Sequence, residues 1–434
     1  MSANEPQSVR RRRVFYIPGY DPIHPRRYRE LYRKEGADQA AISGYEIALA
    51  AKTGGGPYGW RVTSTQDGAT VETEIEVLIW ADIVRESMGA SILATYGQLV
   101  RTASWYIFSG ALFRLMRLRK GPIIAALYPI FALILQLLLA LGLGALTAWA
   151  LMNGSELILA QINGPALFQP GFTARIWAAS ALGLGATWLT LRWFRKHDGR
   201  FYAYYLMHDY AFTARWGGAN PAQLEARMAA FGDTIAQALT EDWDEVLVVG
   251  HSSGAHLAIS ILSDLIRAGR VPVSKVPKYP GGPGVKPPVL SFLSLGHVVP
   301  MVSYLPRARR LRGDLAFLGA RHELTWVDVT APGDGCAFAL CDPVKVTGVA
   351  PPEQFQPLIL SAAFTQTLSP ERWKELRWRF FRLHFQYLCA FDRPGDYDYF
   401  RITAGPLTLS ERFADRPPSK SRITRAANRF TSVA

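Results

Sequence analysis

The residues best equipped for chemistry are Gly250-His251-Ser252-Ser253-Gly254, a G-x-S-x-G pentapeptide. It follows the β-type run Glu245 to Val249 and opens an apolar helical run from Ala255 to Ile266. Strand, tight turn and helix in that order suit a serine pushed out above a sheet on a strained backbone, and small residues must flank such a turn. The helix also aims its first N–H groups at the place where negative charge develops on an attacked carbonyl oxygen. The implied chemistry is acyl transfer through a covalent serine, with Ser252 the candidate nucleophile. A Gly/Ser turn between any strand and helix is the bland alternative. The Leu257, Ala258, Ile261, Leu262, Leu265 stripe at helical spacing weighs against it.

With these residues the chain resembles the α/β-hydrolase superfamily, whose triad runs serine, acid, histidine along the sequence. The resemblance implies an acid on a loop after a later strand. Leu324 to Val329 reads as that strand, and Asp334 follows in Thr330-Ala331-Pro332-Gly333-Asp334-Gly335. Asp328, inside the strand pattern, is held in reserve. The histidine should come later still, and His384 in Arg382-Leu383-His384-Phe385-Gln386-Tyr387-Leu388 is best placed. His297, at the end of the strand-like run Val289 to Leu295, is the runner-up and a candidate for lining the substrate pocket. The resemblance further implies an oxyanion hole of two backbone N–H groups. One is that of Ser253. The other lies in the loop after the early strand Val14 to Ile17, where Pro18-Gly19-Tyr20-Asp21-Pro22 makes Tyr20 the simplest donor. Asp21 is a further candidate for substrate contact. No metal and no cofactor are expected.

The elements that must position these residues are interrupted by a long apolar segment. No charged residue occurs between Lys120 and Glu156, which exceeds the ~20 apolar residues needed to span a bilayer. A weaker apolar run lies between Arg175 and Arg192, with Trp177 and Trp188 suited to the interfacial zones. Gly144 with Ala148, Ala179 with Gly183, and Ala181 with Gly185 stand at small-xxx-small spacing, so the two runs are expected to pair as a transmembrane hairpin. A hydrophobic lid is the alternative for this insertion. Arg114, Arg117, Arg119 and Lys120 precede the first run, and Arg195 and Lys196 follow the second. The positive-inside rule then predicts two spans with both termini and the catalytic domain in the cytoplasm.

The chain has 434 residues and a formal net charge of +13. Basic clusters beside the spans, at Arg10 to Arg13, and in the tail (Arg416, Lys420, Arg422, Arg425, Arg429) suit anionic headgroups. No zinc spacing, RNP-type segment or recognition-helix pattern supports nucleic acid binding. No secretory apolar region follows the N-terminal arginines. Cys336, Cys341 and Cys389 match neither a metal spacing nor an even disulfide framework, and read as packing residues of a reducing compartment.

The predicted fold class is α/β, a mostly parallel hydrolase-like sheet flanked by helices, with a two-helix transmembrane insertion. Residues 1–118 and 197–412 form the two parts of the hydrolase domain, 119–196 the hairpin, and 413–434 a disordered basic tail. Within the first part, a helix is expected over Pro25 to Ala41 and an antiparallel edge over Tyr45 to Ala51, Trp60 to Thr65 and Val71 to Trp80. An amphipathic helical stretch should cover Ile83 to Leu118. In the second part, Asn220-Pro221 should cap a helix running to about Thr240, and a Pro/Gly-rich loop over Tyr279 to Gly284 follows the elbow helix. The expected activity is that of a membrane-anchored serine hydrolase cleaving acyl esters, lipid-like ones above all. Acyl transfer or thioester cleavage by the same triad, and a catalytically silent membrane interaction platform, are the alternatives.

Overall fold

Strands built from Val, Ile, Leu and Phe with few polar interruptions are buried on both faces, as the centre of a parallel sheet requires. This is how Glu245–His251 behaves, every residue of it buried. The structure, a computed structural model, describes residues 9–161, 172–272 and 287–433. The predicted loop Tyr279 to Gly284 lies outside them. Eight strands form one sheet: β1 (Arg11–Ile17), β2 (Glu46–Ala51), β3 (Gly59–Gln66), β4 (Ala69–Val77), β5 (Glu245–His251), β6 (Val289–Leu295), β7 (Leu324–Thr330) and β8 (Leu358–Ser361). Their order is β2-β3-β4-β1-β5-β6-β7-β8. The run from β4 through β1 to β8 is parallel, whereas β2, β3 and β4 pair antiparallel. The predicted antiparallel edge is therefore present. β3 alternates buried and exposed residues, as a sheet with one wet face does.

Helices α1 (Arg26–Ser43), α2 (Ala81–Ser87), α3 (Ile92–Phe108), α4 (Ala111–Leu118), α5 (Lys120–Gln161), α6 (Phe172–Lys196), α7 (Asp198–Phe201), α8 (Ala203–Ala214), α9 (Ala222–Ala238) and α10 (Ser253–Arg267) surround or interrupt it. The stretch expected as one helical approach over Ile83 to Leu118 is instead α2, α3 and α4. Gly110 takes φ +73° and breaks the last of these joins. The cap predicted at Asn220 is also corrected. Its amide bonds Glu225 Oε1 at 2.9 Å, and the residue before α9 is Pro221 with no side-chain cap.

The chain forms two compact units. The first contains the sheet: residues up to Ser87, then Ser104–Ile123 and Thr213–Ala434. Arg12 is fully buried at its centre, its Nε 2.6 Å from Glu245 Oε2 and its other nitrogens on the carbonyls of Gly405 and Leu407. The N-terminal arginines therefore do not all face headgroups, since a buried guanidinium must be paired and fully hydrogen-bonded.

The tail is a second correction. Beyond Phe413 it runs as an ordered strap: the Asp342 N–H donates to the Ile423 carbonyl (2.9 Å), the Ile423 N–H to Leu340 (2.7 Å) and Arg312 Nε to Ser432 (2.8 Å). Its Pro, Ser and Arg composition buries little of its own. Its order comes from main-chain bonds to distant segments, which composition does not register.

The second unit comprises Met88–Ala103 and Ile124–Phe212. The insertion thus extends beyond the 119–196 expected, because Leu99 and Leu133 pack with Ala203, Tyr204 and Met207. Among the described residues one helix, over Lys120–Gly154 with mean hydropathy 2.5, is long and apolar enough to cross a membrane. In this unit Gly144 and Gly183 meet closely. A Cβ on Gly144 would lie 2.5 Å from the Gly183 carbonyl oxygen, so any side chain there would separate α5 from α6.

Candidate active site

The turn after β5 holds the most telling backbone in the molecule. Ser252 has φ +56° and ψ −120°, a conformation that a residue with a Cβ adopts only at a cost of ~1–3 kcal/mol. Its neighbours permit it. A Cβ on Gly250 would lie 2.8 Å from Ala255 Cα, and one on Gly254 would strike the Ile17 carbonyl oxygen at 2.0 Å. The Ser252 N–H donates to the Leu295 carbonyl of β6 at 2.9 Å, pinning the turn to the sheet. Ser252 is half-buried at the start of α10, and Ser253, buried, is the first residue of that helix.

The loop after β1 closes on the same point. Gly19 approaches the serine so closely that a Cβ there would be 2.9 Å from Ser252 Cβ and 3.4 Å from its Oγ. Trp80 Nε1 donates to the Pro18 carbonyl at 2.9 Å, and Tyr20 reaches Ser87 Oγ through its hydroxyl at 2.5 Å. Asp21 is buried and accepts from the Tyr28 hydroxyl (2.7 Å) and the Ile23 N–H (2.9 Å), so its carboxylate shapes this loop. Its place is a turn-holding one.

Asp334 and His384 are brought together, 2.7 Å between Oδ2 and Nδ1. The acid sits in the loop after β7 and the histidine ends α16 (Phe380–His384). Between β6 and that histidine, helices α11 (Val299–Ser303), α12 (Arg309–Leu318), α13 (Pro343–Thr347), α14 (Phe364–Thr367) and α15 (Pro370–Leu376) alternate with β7 and β8. Burial alone would favour the neutral acid. The charge of His384, its hydrogen bond, the Cys336 N–H on Oδ1 (2.9 Å) and the Tyr387 hydroxyl on Oδ2 (3.0 Å) outweigh it and hold Asp334 below the usual carboxylate range. An ionised Asp334 fixes the proton of His384 on Nδ1 and leaves Nε2 as the basic atom.

The imidazole packs against Gly296, the residue after Leu295, and its ring centroid lies 4.9 Å from that of His251, next to Ser252. A Cβ on Gly296 would lie 3.2 Å from His384 Cε1 and 2.7 Å from Tyr387 Cε2. Among the described residues no hydrogen bond joins Ser252 Oγ to His384. Catalytic contacts of this kind often tighten only when substrate arrives.

His251 and Tyr387 are the participants that sequence reasoning missed. His251 Nε2 is 3.0 Å from the His384 carbonyl, beneath the histidine loop. Burial and the neighbouring His384 push its pKa down to about 3, so it supports His384 as a neutral ring. Tyr387 is wholly buried, donates to Asp334 and accepts from the Ala331 N–H at 3.0 Å. The spacing of three between His384 and Tyr387 was a visible signal for it. On an acid–histidine reading of this pair, Tyr387→Phe should lower kcat by roughly 10- to 150-fold, the loss of one hydrogen bond to a charged group. The carboxylate left with one donor fewer becomes more basic and holds the imidazolium more firmly. The acidic limb of the pH profile of kcat/KM should therefore move to higher pH, which a purely packing role for Tyr387 would not produce.

The reserve residues lie elsewhere. Asp328 is fully buried in β7, accepts from the Ser294 hydroxyl at 2.5 Å and stands 3.6 Å from His297 Nε2. His297 is buried too, with Nε2 3.1 Å from the Cys341 carbonyl. Neither reaches Asp334 or His384 by a hydrogen bond. Burial raises the pKa of Asp328 to about 6, against the opposing effects of His297 and Ser294. Between an unfolded value of ~3.9 and that folded value the native chain holds a proton the unfolded chain lacks, so stability falls as pH rises through this window. Asp328→Asn should remove the slope and gain ~1–3 kcal/mol over wild type above pH 6. Thermal unfolding at pH 4.5 and pH 8 in detergent checks it.

Asp334, Cys336 and His384 offer ligand atoms within 4.8 Å of one another, the one such group among the described residues. Two of its three members are already joined as the acid–histidine pair. The cysteines are all unpaired by disulfide. Compared with models of protein families, with curated proteins and with solved structures, the chain matches none.

Proposed function

We propose that this chain is a membrane-anchored serine hydrolase of the α/β-hydrolase type that cleaves acyl esters, with lipid-like esters as its substrates. The observation that carries the reading is Ser252. A non-glycine residue held at φ +56° between a central strand and a helix, beside a buried Asp334–His384 pair, stores strain where a nucleophile needs exposure. The chain order Ser252, Asp334, His384 fits the same family pattern.

In this reading Ser252 Oγ attacks the acyl carbon while His384 Nε2 takes its proton. The backbone N–H groups of Ser253 and Tyr20 receive the oxyanion, and Asp334 stabilises the imidazolium. His384 then gives the proton to the departing alcohol oxygen. Water, deprotonated by the same nitrogen, attacks the acyl-serine, and that proton passes to Ser252 Oγ as the carboxylic acid leaves. An acceptor alcohol or amine in place of water would make the protein a transferase by the same steps.

The substrate class follows from the anchor. The α5 helix leaves Phe131, Leu138 and Trp149 exposed, and α6 does the same with Trp177, Leu184 and Leu189. Apolar rings and chains directed outward suit lipid rather than water. With the small-residue contact at Gly144 and Gly183, these rows support a two-helix hairpin whose basic flanks keep the sheet unit in the cytoplasm.

Membranes containing the full chain should label with a fluorophosphonate at Ser252, and alkaline carbonate should leave the labelled protein in the pellet. Absence of labelling favours a silent scaffold. Release into the supernatant removes the integral anchor.

A further inference from the structure

A run of alternating cations and aromatics lies between α15 and His384: Arg377, Trp378, Arg379, Phe380, Phe381, Arg382. Trp378 is 71% exposed and Phe380 51%, the former beneath the Arg377 guanidinium at 5.6 Å. Water penalises such exposure of rings, and a protein normally buries them. Arg379 and Arg382 share Glu375 at 3.2 and 3.4 Å, and that one carboxylate also holds Arg372 at 3.0 Å, so the segment stays cationic.

Its place in the fold gives the exposure a direction. The ring of Phe380 flanks Gly335, one residue past Asp334, with 3.5 Å from a Cβ placed there to Cδ1. Gly121, in the first turn of α5, abuts the same glycine: a Cβ on it would be 3.3 Å from the Gly335 carbonyl oxygen. The aromatic segment and the start of the apolar helix are thus neighbours across the acid's own loop. Arg119 Nε fixes that start by donating to the Ala339 carbonyl at 2.8 Å.

We propose that the Arg377–Arg382 segment is an interfacial docking element for an anionic lipid surface, with Trp378 and Phe380 seated at headgroup level and Arg377, Arg379 and Arg382 on lipid phosphates. This rests on the membrane-anchored reading above and deepens it: the lipid layer becomes a partner of the site as well as its support. Indole and phenyl rings favour the interfacial zone, and basic residues are drawn to the phosphates of an anionic leaflet. Because α16 carries both Phe380 and His384, docking places the basic nitrogen beside the layer that holds the ester.

The test uses the full chain reconstituted in phosphatidylcholine vesicles with and without phosphatidylglycerol. The fluorescence lost in Trp378→Phe isolates the signal of that indole. Lipids brominated near the headgroup should quench this component, and acrylamide in the water should reach it poorly. Arg377→Gln combined with Arg382→Gln should weaken the bromine quenching most where phosphatidylglycerol is present. Carbonate-resistant protein whose Trp378 component is quenched by acrylamide alone would overturn the docking element, and would point to a protein partner or bare solvent at that face. Protein stripped from the vesicles by carbonate would instead overturn the anchor reading itself.

Discussion

Ser252→Ala should abolish fluorophosphonate labelling and reduce ester turnover by on the order of 10⁴–10⁶-fold while the protein still accumulates in membranes. Of the two elbow hydroxyls, that of Ser252 is half-buried and that of Ser253 buried, and removing the former changes little volume. A companion variant reads the backbone rather than the chemistry. Ser252→Gly also lacks the oxygen, yet relieves a φ of +56° that costs a Cβ-bearing residue ~1–3 kcal/mol. It should therefore unfold at a higher temperature than Ser252→Ala, by the equivalent of ~1 kcal/mol after the greater chain entropy of glycine is counted. An ordinary turn serine predicts the reverse order, with alanine the more stable. Labelling that survives in Ser252→Ala would end the case for this nucleophile.

The second large effect is non-additivity. His384→Ala should be about as inactive as Ser252→Ala, and the double variant scarcely worse than either, because a nucleophile without its base and a base without its nucleophile lose the same transition state. Asp334→Asn should cost less, roughly 10³–10⁴-fold, by favouring the wrong imidazole tautomer and leaving the imidazolium without its partner. His297→Ala is the control. Its ring contacts Cys341 and Asp328, so stability should fall while activity per folded molecule stays within a few-fold of wild type. A large catalytic loss there, with normal activity in His384→Ala, would move the base to His297. Ester hydrolysis normalised to folded protein decides between them.

Much of the sheet was legible because its strands announce themselves chemically. Val289–Leu295 is mostly apolar, with only Ser291 and Ser294 interrupting, and emerged with the predicted bounds, while β5 differs only by extending into His251. The elbow was legible for a related reason: its glycines are demanded by contacts at 2.0 and 2.8 Å, so their spacing encodes the turn. Contacts between distant segments left fainter marks. Nothing in Glu245 or Arg12 singly reveals a buried ion pair between residues 233 apart. The ordered tail escaped notice because it is held by main-chain bonds. Tyr387 was read past because a tyrosine near a histidine is ordinary until its hydroxyl is seen on Asp334.

That central ion pair bears on how the protein is made. β1 lies between β4 and β5, yet β5 leaves the ribosome 233 residues later, after the whole apolar insertion. At ~5–20 residues per second the nascent first strand waits roughly 12–47 s with one edge open and Arg12 without Glu245. If Lys120–Gly154 enters the membrane as proposed above, it does so in that interval, before the sheet can close. On that reading insertion precedes sheet completion, and until β5 arrives the open edge of β1 is a natural client for a holding chaperone.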